Sequence, residues 1–209
     1  MPRIVQYWFT LVSPWAYLGH GQFMDIVGRH GLTVDWRPVN LANVFPETGG
    51  LPLPRRAPAR QRYRIMELQR WRDRRGVPLR LHPKHWPFPV ELADRTVIAI
   101  VRAGRDPSPF VLAAMRAVWA EERDLGEETT LVALLNETGF DGTAMLAAAK
   151  AHEIGLAYEE NARIAVASDV FGSPTYVLDG EIFWGQDRLD LLDEALSKGR
   201  APFRADAKA

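Results

Sequence analysis

The feature that most narrows the fold lies at the N-terminal end, where two short apolar runs flank one stretch of helical spacing. Residues 3–12, RIVQYWFTLV, are rich in β-branched and aromatic side chains and short enough for a buried strand. In residues 14–30, Trp15, Leu18, Ile26 and Val27 recur at roughly helical spacing, with Arg29 and His30 suited to a last turn and Gly31 to the left-handed position beyond it. Residues 32–39, LTVDWRPV, alternate Leu32, Val34 and Trp36 against polar neighbours and predict a second strand. A strand, a crossing helix and a second strand of this length form a βαβ unit, whose two strands run parallel.

The far end returns to this character. FGSPTYVLDGEIFWGQ predicts two short strands joined at Asp179-Gly180, a two-residue hairpin signal, and DRLDLLDEALSKG predicts an amphipathic helix with Leu189, Leu192 and Leu196 on one side. Between the ends, residues 41–55 read as a loop, with Pro46, Gly49, Gly50, Pro52 and Pro54. An arginine-rich helix follows from about Ala57 to Arg75, then the proline-rich segment GVPLRLHPKHWPFP, then an alanine-rich helical block to about Ser168. Asp106, Ser108, Thr129 and Asp141 are its candidate helix starts. Neither α/β piece is large enough to fold alone, so the two are expected to share one sheet. The expected organisation is α/β: one discontinuous domain, residues 1–42 and 165–209, with residues 43–164 as an all-helical insertion.

Composition removes several function classes. The 209 residues include no cysteine, which excludes disulfides, thiolate metal sites and a thiol nucleophile of the chain's own. Lysine plus arginine number 26, as do aspartate plus glutamate, so net charge gives no reason to expect nucleic acid or an anionic membrane as partner. The N-terminus lacks the pattern of a signal peptide and no window has the ~20 apolar residues of a membrane span, so a cytoplasmic location is expected.

Ser13 stands where the first strand gives way to the helix. Its hydroxyl suits an N-cap and Pro14 suits the first helical position, so the pair serves as a helix start. A serine at that point can also donate to an anion held by the helix's free amides. In GSPT, Pro174 precedes a strand; a trans bond is allowed there, and a cis bond would turn the backbone of Ser173 outward. Asp187 begins the last helix and can cap it or hold an ammonium group. Gln186 and Trp184 read equally as turn and strand residues.

SPWAYLG (residues 13–19), PARQRY (58–63) and FGSPTYVLDGEIFWGQDRL (171–189), with the order of elements, resemble the 2-hydroxychromene-2-carboxylate isomerases and, less closely, the kappa-class glutathione transferases. The resemblance spans nearly the whole chain and implies a thioredoxin-like fold with a helical insertion, glutathione as cofactor, a small-molecule substrate and a homodimer. It implies Ser13 as the catalytic residue. Ser173 and Pro174 then meet the cysteinyl part of glutathione, and Trp184, Gly185, Gln186 and Asp187 hold its γ-glutamyl end. The isomerases carry a lysine soon after a V-F pair and an asparagine after T-G, where this chain has Pro46 and Gly50. On that substrate side Gly50, Arg60, Tyr63, His85 and Trp86 are the candidates. Arg60 takes the place of the family's lysine and can clamp a carboxylate at two points. Tyr63 matches the family's tyrosine or packs in the core.

The other arginines of residues 55–75 read as a solvated face paired with acids such as Glu121, Glu122 and Asp124. His82 and His85 have no third ligand at metal spacing, so no metal is expected. A thiol with a pKa near ~8.5 is mostly protonated at neutral pH, and a helix start with a donating serine favours its anion. The implied activity is a glutathione-dependent isomerase acting on a conjugated aromatic acid. The alternatives are a kappa-type transferase or peroxidase and a binding module of the same fold without chemistry.

Overall fold

The computed structural model describes residues 3–206. β1 (Ile4–Phe9), α1 (Pro14–His30) and β2 (Thr33–Pro38) form the expected crossover unit, with β1 and β2 parallel from Ile4↔Thr33 to Phe9↔Pro38. The chain then runs through α2 (Leu41–Thr48), α3 (Pro58–Arg75), α4 (Glu91–Arg102), α5 (Ser108–Trp119), α6 (Glu128–Glu137), α7 (Gly142–Ala149) and α8 (His152–Ala167). It closes with β3 (Thr175–Leu178), β4 (Glu181–Trp184) and α9 (Leu189–Lys198). The sheet order is β2-β1-β3-β4, mixed, with β3 antiparallel to both neighbours. This is an α/β thioredoxin-like sheet with α3–α8 inserted between its halves. Asp179 and Gly180 both have positive φ, 51° and 84°, the backbone that a tight hairpin between twisted strands requires.

Period-two alternation assigns each face of the sheet. Val5, Tyr7 and Phe9 of β1 and Tyr176 and Leu178 of β3 face a core with Leu18, Phe23 and Ile26 of α1 and Leu189, Leu192 and Leu196 of α9. Trp8 and Val177 face the other side, against Val44 of α2 and Ala162 and Ala165 of α8. The first core continues without a break into α3–α7 through Leu68, Val97, Phe110 and Leu131.

Residues 41–55 are not a loop. Asn40 caps α2 by accepting from the Ala42 N–H, and Gly49 ends it at φ 75°. Pro46 lies inside this helix, and residues 53–55 add a short 3-10 turn. The prolines and glycines masked two sound helix ends. Asp141 caps α7 as expected, and α5 starts at Ser108 behind an Asp106 side chain bonded to its first amide, as expected; α6 starts at Glu128, one residue before the expected Thr129. No described helix is long and apolar enough to cross a membrane.

Asp94 of α4 joins the helical block to the sheet. It is 0% exposed. It accepts from Thr10 Oγ1 at 2.8 Å, the Leu11 N–H at 2.9 Å and Tyr158 Oη of α8 at 2.8 Å. Burial pushes its carboxyl up to about 7, against the three hydrogen bonds that favour the anion. Both hydroxyl partners can turn to accept, so the protonated form is accommodated as well.

This sets a pH signature. Asp94 holds its proton in the fold up to about pH 7, against an ordinary value of 3.8, so it makes stability fall as pH rises through that window. Buried His20 acts oppositely: burial lowers it from 6.5 to about 4, so stability rises with pH between those values. Over roughly pH 4–6.5 the two slopes oppose each other. Asp94→Asn is expected to expose the rising limb, seen in urea melts across that range; a variant profile parallel to the wild type would contradict the assignment.

Candidate functional site

Ser13 is the N-cap of α1, with φ −87° and ψ 118°, and its Oγ accepts from the Ala16 N–H at 3.2 Å. The helix-start reading therefore holds. The same hydroxyl donates to the Ser173 carbonyl oxygen at 3.2 Å, across 160 positions of sequence. The Ser173–Pro174 bond is cis. Ser173 Oγ accepts from the Thr10 N–H at 3.1 Å, and the Ser13 N–H donates to the Thr10 carbonyl at 3.1 Å. Thr10, fixed by Asp94, thus braces both serines. Among the described residues the N–H groups of Trp15 and Ser173 have no protein acceptor. Two free amides, a helix start and a hydroxyl that can swing off a carbonyl make a place for a small anion. Ser13 is 7% and Ser173 9% exposed, so such an anion would be largely desolvated and feel these dipoles strongly.

The segment at 184–187 closes one side. Its Gly185 has φ 101°, which needs glycine, and its N–H donates to the Pro174 carbonyl at 2.9 Å. The Trp184 indole is 52% exposed, packs edge-on against Phe171 at 4.7 Å and lies over Gly172, where a Cβ would meet its Nε1 at 2.3 Å. Gln186 is buried, its side-chain oxygen receiving Arg75 Nε at 3.0 Å and its carbonyl receiving Arg75 Nη2 at 2.9 Å. Asp187 caps neither the 3-10 turn Gln186–Arg188 nor α9; its carboxylate is partly exposed beside Arg188, at 2.6 Å. Burial lowers Arg75 despite the nearby Asp190 charge.

The substrate-side candidates separate. Trp86 comes to the site: its Nε1 donates to the Val12 carbonyl at 3.0 Å, one residue before Ser13. His85 instead faces Asp124, 3.1 Å away, in the loop between α5 and α6. Gly50 carries no group, and a Cβ there would lie 2.2 Å from the Phe45 ring. Arg60 is exposed and its side chain makes no hydrogen bond among the described residues. Tyr63 is not a core residue; it is 53% exposed, with Arg70 5.9 Å from its ring.

Nor do the α3 arginines meet the expected acids. Glu121 pairs with Arg116 and Asp124 with His85, while Arg70 pairs with Glu67 on its own helix and Arg74 approaches Asp190 at 4.0 Å. The helix packs against α1. Arg64 was not singled out by its sequence context. It stands 5.1 Å over the Trp86 ring, and burial, then the Arg56 charge, lowers it to about 10. Asp94 and Arg75 also carry no motif; the only available signal was a carboxylate on the apolar stripe of Val97 and Ile98.

The family described as DSBA-like thioredoxin domain matches residues 4–197. A 2-hydroxychromene-2-carboxylate isomerase of Sphingobium xenophagum is 27% identical over 94% of this chain and 99% of its own. Glutathione S-transferase kappa 1 of Rattus norvegicus is 20% identical over 91% of this chain and 89% of its own. A solved 2-hydroxychromene-2-carboxylate isomerase superposes with a TM-score of 0.80 at 26% identity, covering 93% of this chain and 95% of that one.

Gly19 gives the SPWAYLG stretch its physical cause. A Cβ there would come within 2.6 Å of Gln186 Cβ and 3.2 Å of Tyr176 Oη, so α1 and the 184–187 segment approach only over glycine. Gly28, on the same helix, has nothing within 4 Å. Gly19→Ala is expected to destabilise by about 1–3 kcal/mol through overpacking. Gly28→Ala is expected to stabilise by roughly 0.5–1 kcal/mol through helix propensity. Equal shifts in thermal melts would refute the close approach.

Proposed function

Because the chain belongs to the DSBA-like thioredoxin domain family and carries serine, with no cysteine, at the strand–helix junction, we propose that it is a glutathione-dependent isomerase of a conjugated aromatic acid. The observation that carries this reading is the Ser13 hydroxyl at the start of α1, 3.2 Å from the carbonyl before the cis-proline. The full-length likeness to 2-hydroxychromene-2-carboxylate isomerases supports it.

The residues present fit glutathione. Unpartnered Ser173 N–H and partly exposed Asp187 offer groups for a peptide backbone and an ammonium, and Arg75 keeps Gln186, and with it the 184–187 turn, in place. Bound there, glutathione would supply a thiolate for reversible addition to, and elimination from, a conjugated carbonyl compound, so that no thiol is consumed. Ser13 donates to the anion and, by turning from the Ser173 carbonyl, keeps it deprotonated near neutral pH. The Trp15 amide and the α1 dipole add to that stabilisation. The cis-proline holds the Ser173 backbone toward the same point. Asp187 anchors the far end, which lowers the entropy lost when the sulfur reacts. The protein's expected pairing as a homodimer and its expected cytoplasmic location belong to this reading.

A kappa-type transferase is the second reading. It is favoured by Pro46 inside α2 and by Gly50 under the Phe45 ring, which offer no amine or amide group where the isomerases have lysine and asparagine. Product analysis separates the two, since isomerisation leaves glutathione free and transfer consumes it.

Calorimetry is expected to detect glutathione binding to the wild type and to Asp187→Ala with roughly tenfold weaker affinity. In Ser13→Ala the bound thiol, followed by thiolate absorbance against pH, is expected to titrate about one unit higher. A wild type that binds no glutathione would overturn both glutathione readings and leave a binding module.

A further inference from the structure

The arginines of residues 55–75 divide by what they touch. Arg70 has Glu67, Arg72 donates to the Leu79 carbonyl, Arg74 lies near Asp190, Arg75 holds Gln186 and Arg56 donates to the Leu51 carbonyl. Arg64 is different. It is partly buried, yet among the described residues its side chain has no hydrogen bond and no ion pair, and none of its side-chain nitrogens is sealed from solvent. Arg60, one turn before Arg64 on the same face of α3, is likewise without an acid, and the Arg56 charge lies close enough to lower Arg64, after burial. Three like charges gather where no carboxylate among the described residues pairs with them. A guanidinium withdrawn from water without a counter-ion is unfavourable, and an incoming anion relieves it.

The position is specific. The Arg64 guanidinium lies over the Trp86 ring, and that ring's nitrogen is bonded to the Val12 carbonyl beside Ser13. Trp86 in turn stands 5.7 Å from Trp119. A flat apolar wall next to a forked donor suits a carboxylate on a planar or peptide body. We propose that Arg64, with Arg56 and Arg60 behind it, forms a carboxylate-binding subsite beside the Ser13 loop. Its ligand is either the glycyl carboxylate of glutathione or the carboxylate of the second substrate; only this choice rests on the function proposed above.

The test is calorimetry on the full chain with three probes: glutathione, its glycyl monoethyl ester, and trans-cinnamate. Arg64→Gln is expected to weaken one carboxylate probe roughly 10- to 100-fold, and Arg64→Lys to restore it in part. If the carboxylate is glutathione's, glutathione falls to the affinity of its ester and the ester is unchanged. If it is the second substrate's, cinnamate falls and glutathione is unchanged. Should Arg64→Gln fail to melt like the wild type, Arg56→Gln replaces it, with a several-fold loss expected. Unchanged binding of both glutathione and cinnamate in a folded variant overturns the subsite, as does a wild type that binds neither. Binding of cinnamate, dependent on Arg64, in a protein that ignores glutathione would sustain the subsite while removing the glutathione reading.

Discussion

One buried carboxylate holds the molecule's working parts together. Asp94 gathers donors from the loop after β1 and from α8 onto α4, so three distant segments meet at two oxygens. Its desolvation is opposed by three hydrogen bonds, and it can lie neutral when the balance shifts. What depends on it is the course of residues 10–13. Thr10 passes the constraint to Ser13 through its carbonyl and to Ser173 through its amide. The helical insertion is therefore a structural member of the site: without α4 and α8, the two serines lose their common brace.

The sheet and its two flanking pieces were legible in the sequence because each element announces itself locally. The β-branched and aromatic run of β1, the αL glycine after α1 and the Asp179-Gly180 turn are all short-range signals, and all correspond to what the backbone does. Ser13 was legible for the same reason, since capping is local. Residues 41–48 were misread because punctuating prolines and glycines outweighed Asn40 and Gly49, which cap a helix around Pro46. The roles of Asp94, Arg75 and Arg64 are tertiary. Each depends on what a remote element places opposite it, Thr10, Gln186 and Trp86 respectively, and no spacing in the chain encodes that.

The two halves of the site are built differently. The side formed by Ser13, Ser173 and the 184–187 turn is backbone held to backbone, with glycines at 19, 172 and 185 wherever a Cβ would intrude. Such a half tolerates little change. The opposite side is made of long side chains over aromatic rings, Arg64 on Trp86 and Trp86 against Trp119. Rearrangement there leaves the hydrogen-bonded frame alone.

Helix α3 touches both halves, Arg75 at Gln186 and Arg64 at Trp86. At the usual helical rise these two residues stand about 16 Å apart along the axis. The helix is thus a ruler, and it is graduated in whole turns. Exchanging side chains alters the grip at either mark but not the interval. Inserting one residue would rotate everything beyond it by about 100° and take one guanidinium off its partner. The reach of the site can therefore change only by about a turn of helix at a time, and ligand length is a property of this fold that drifts in steps.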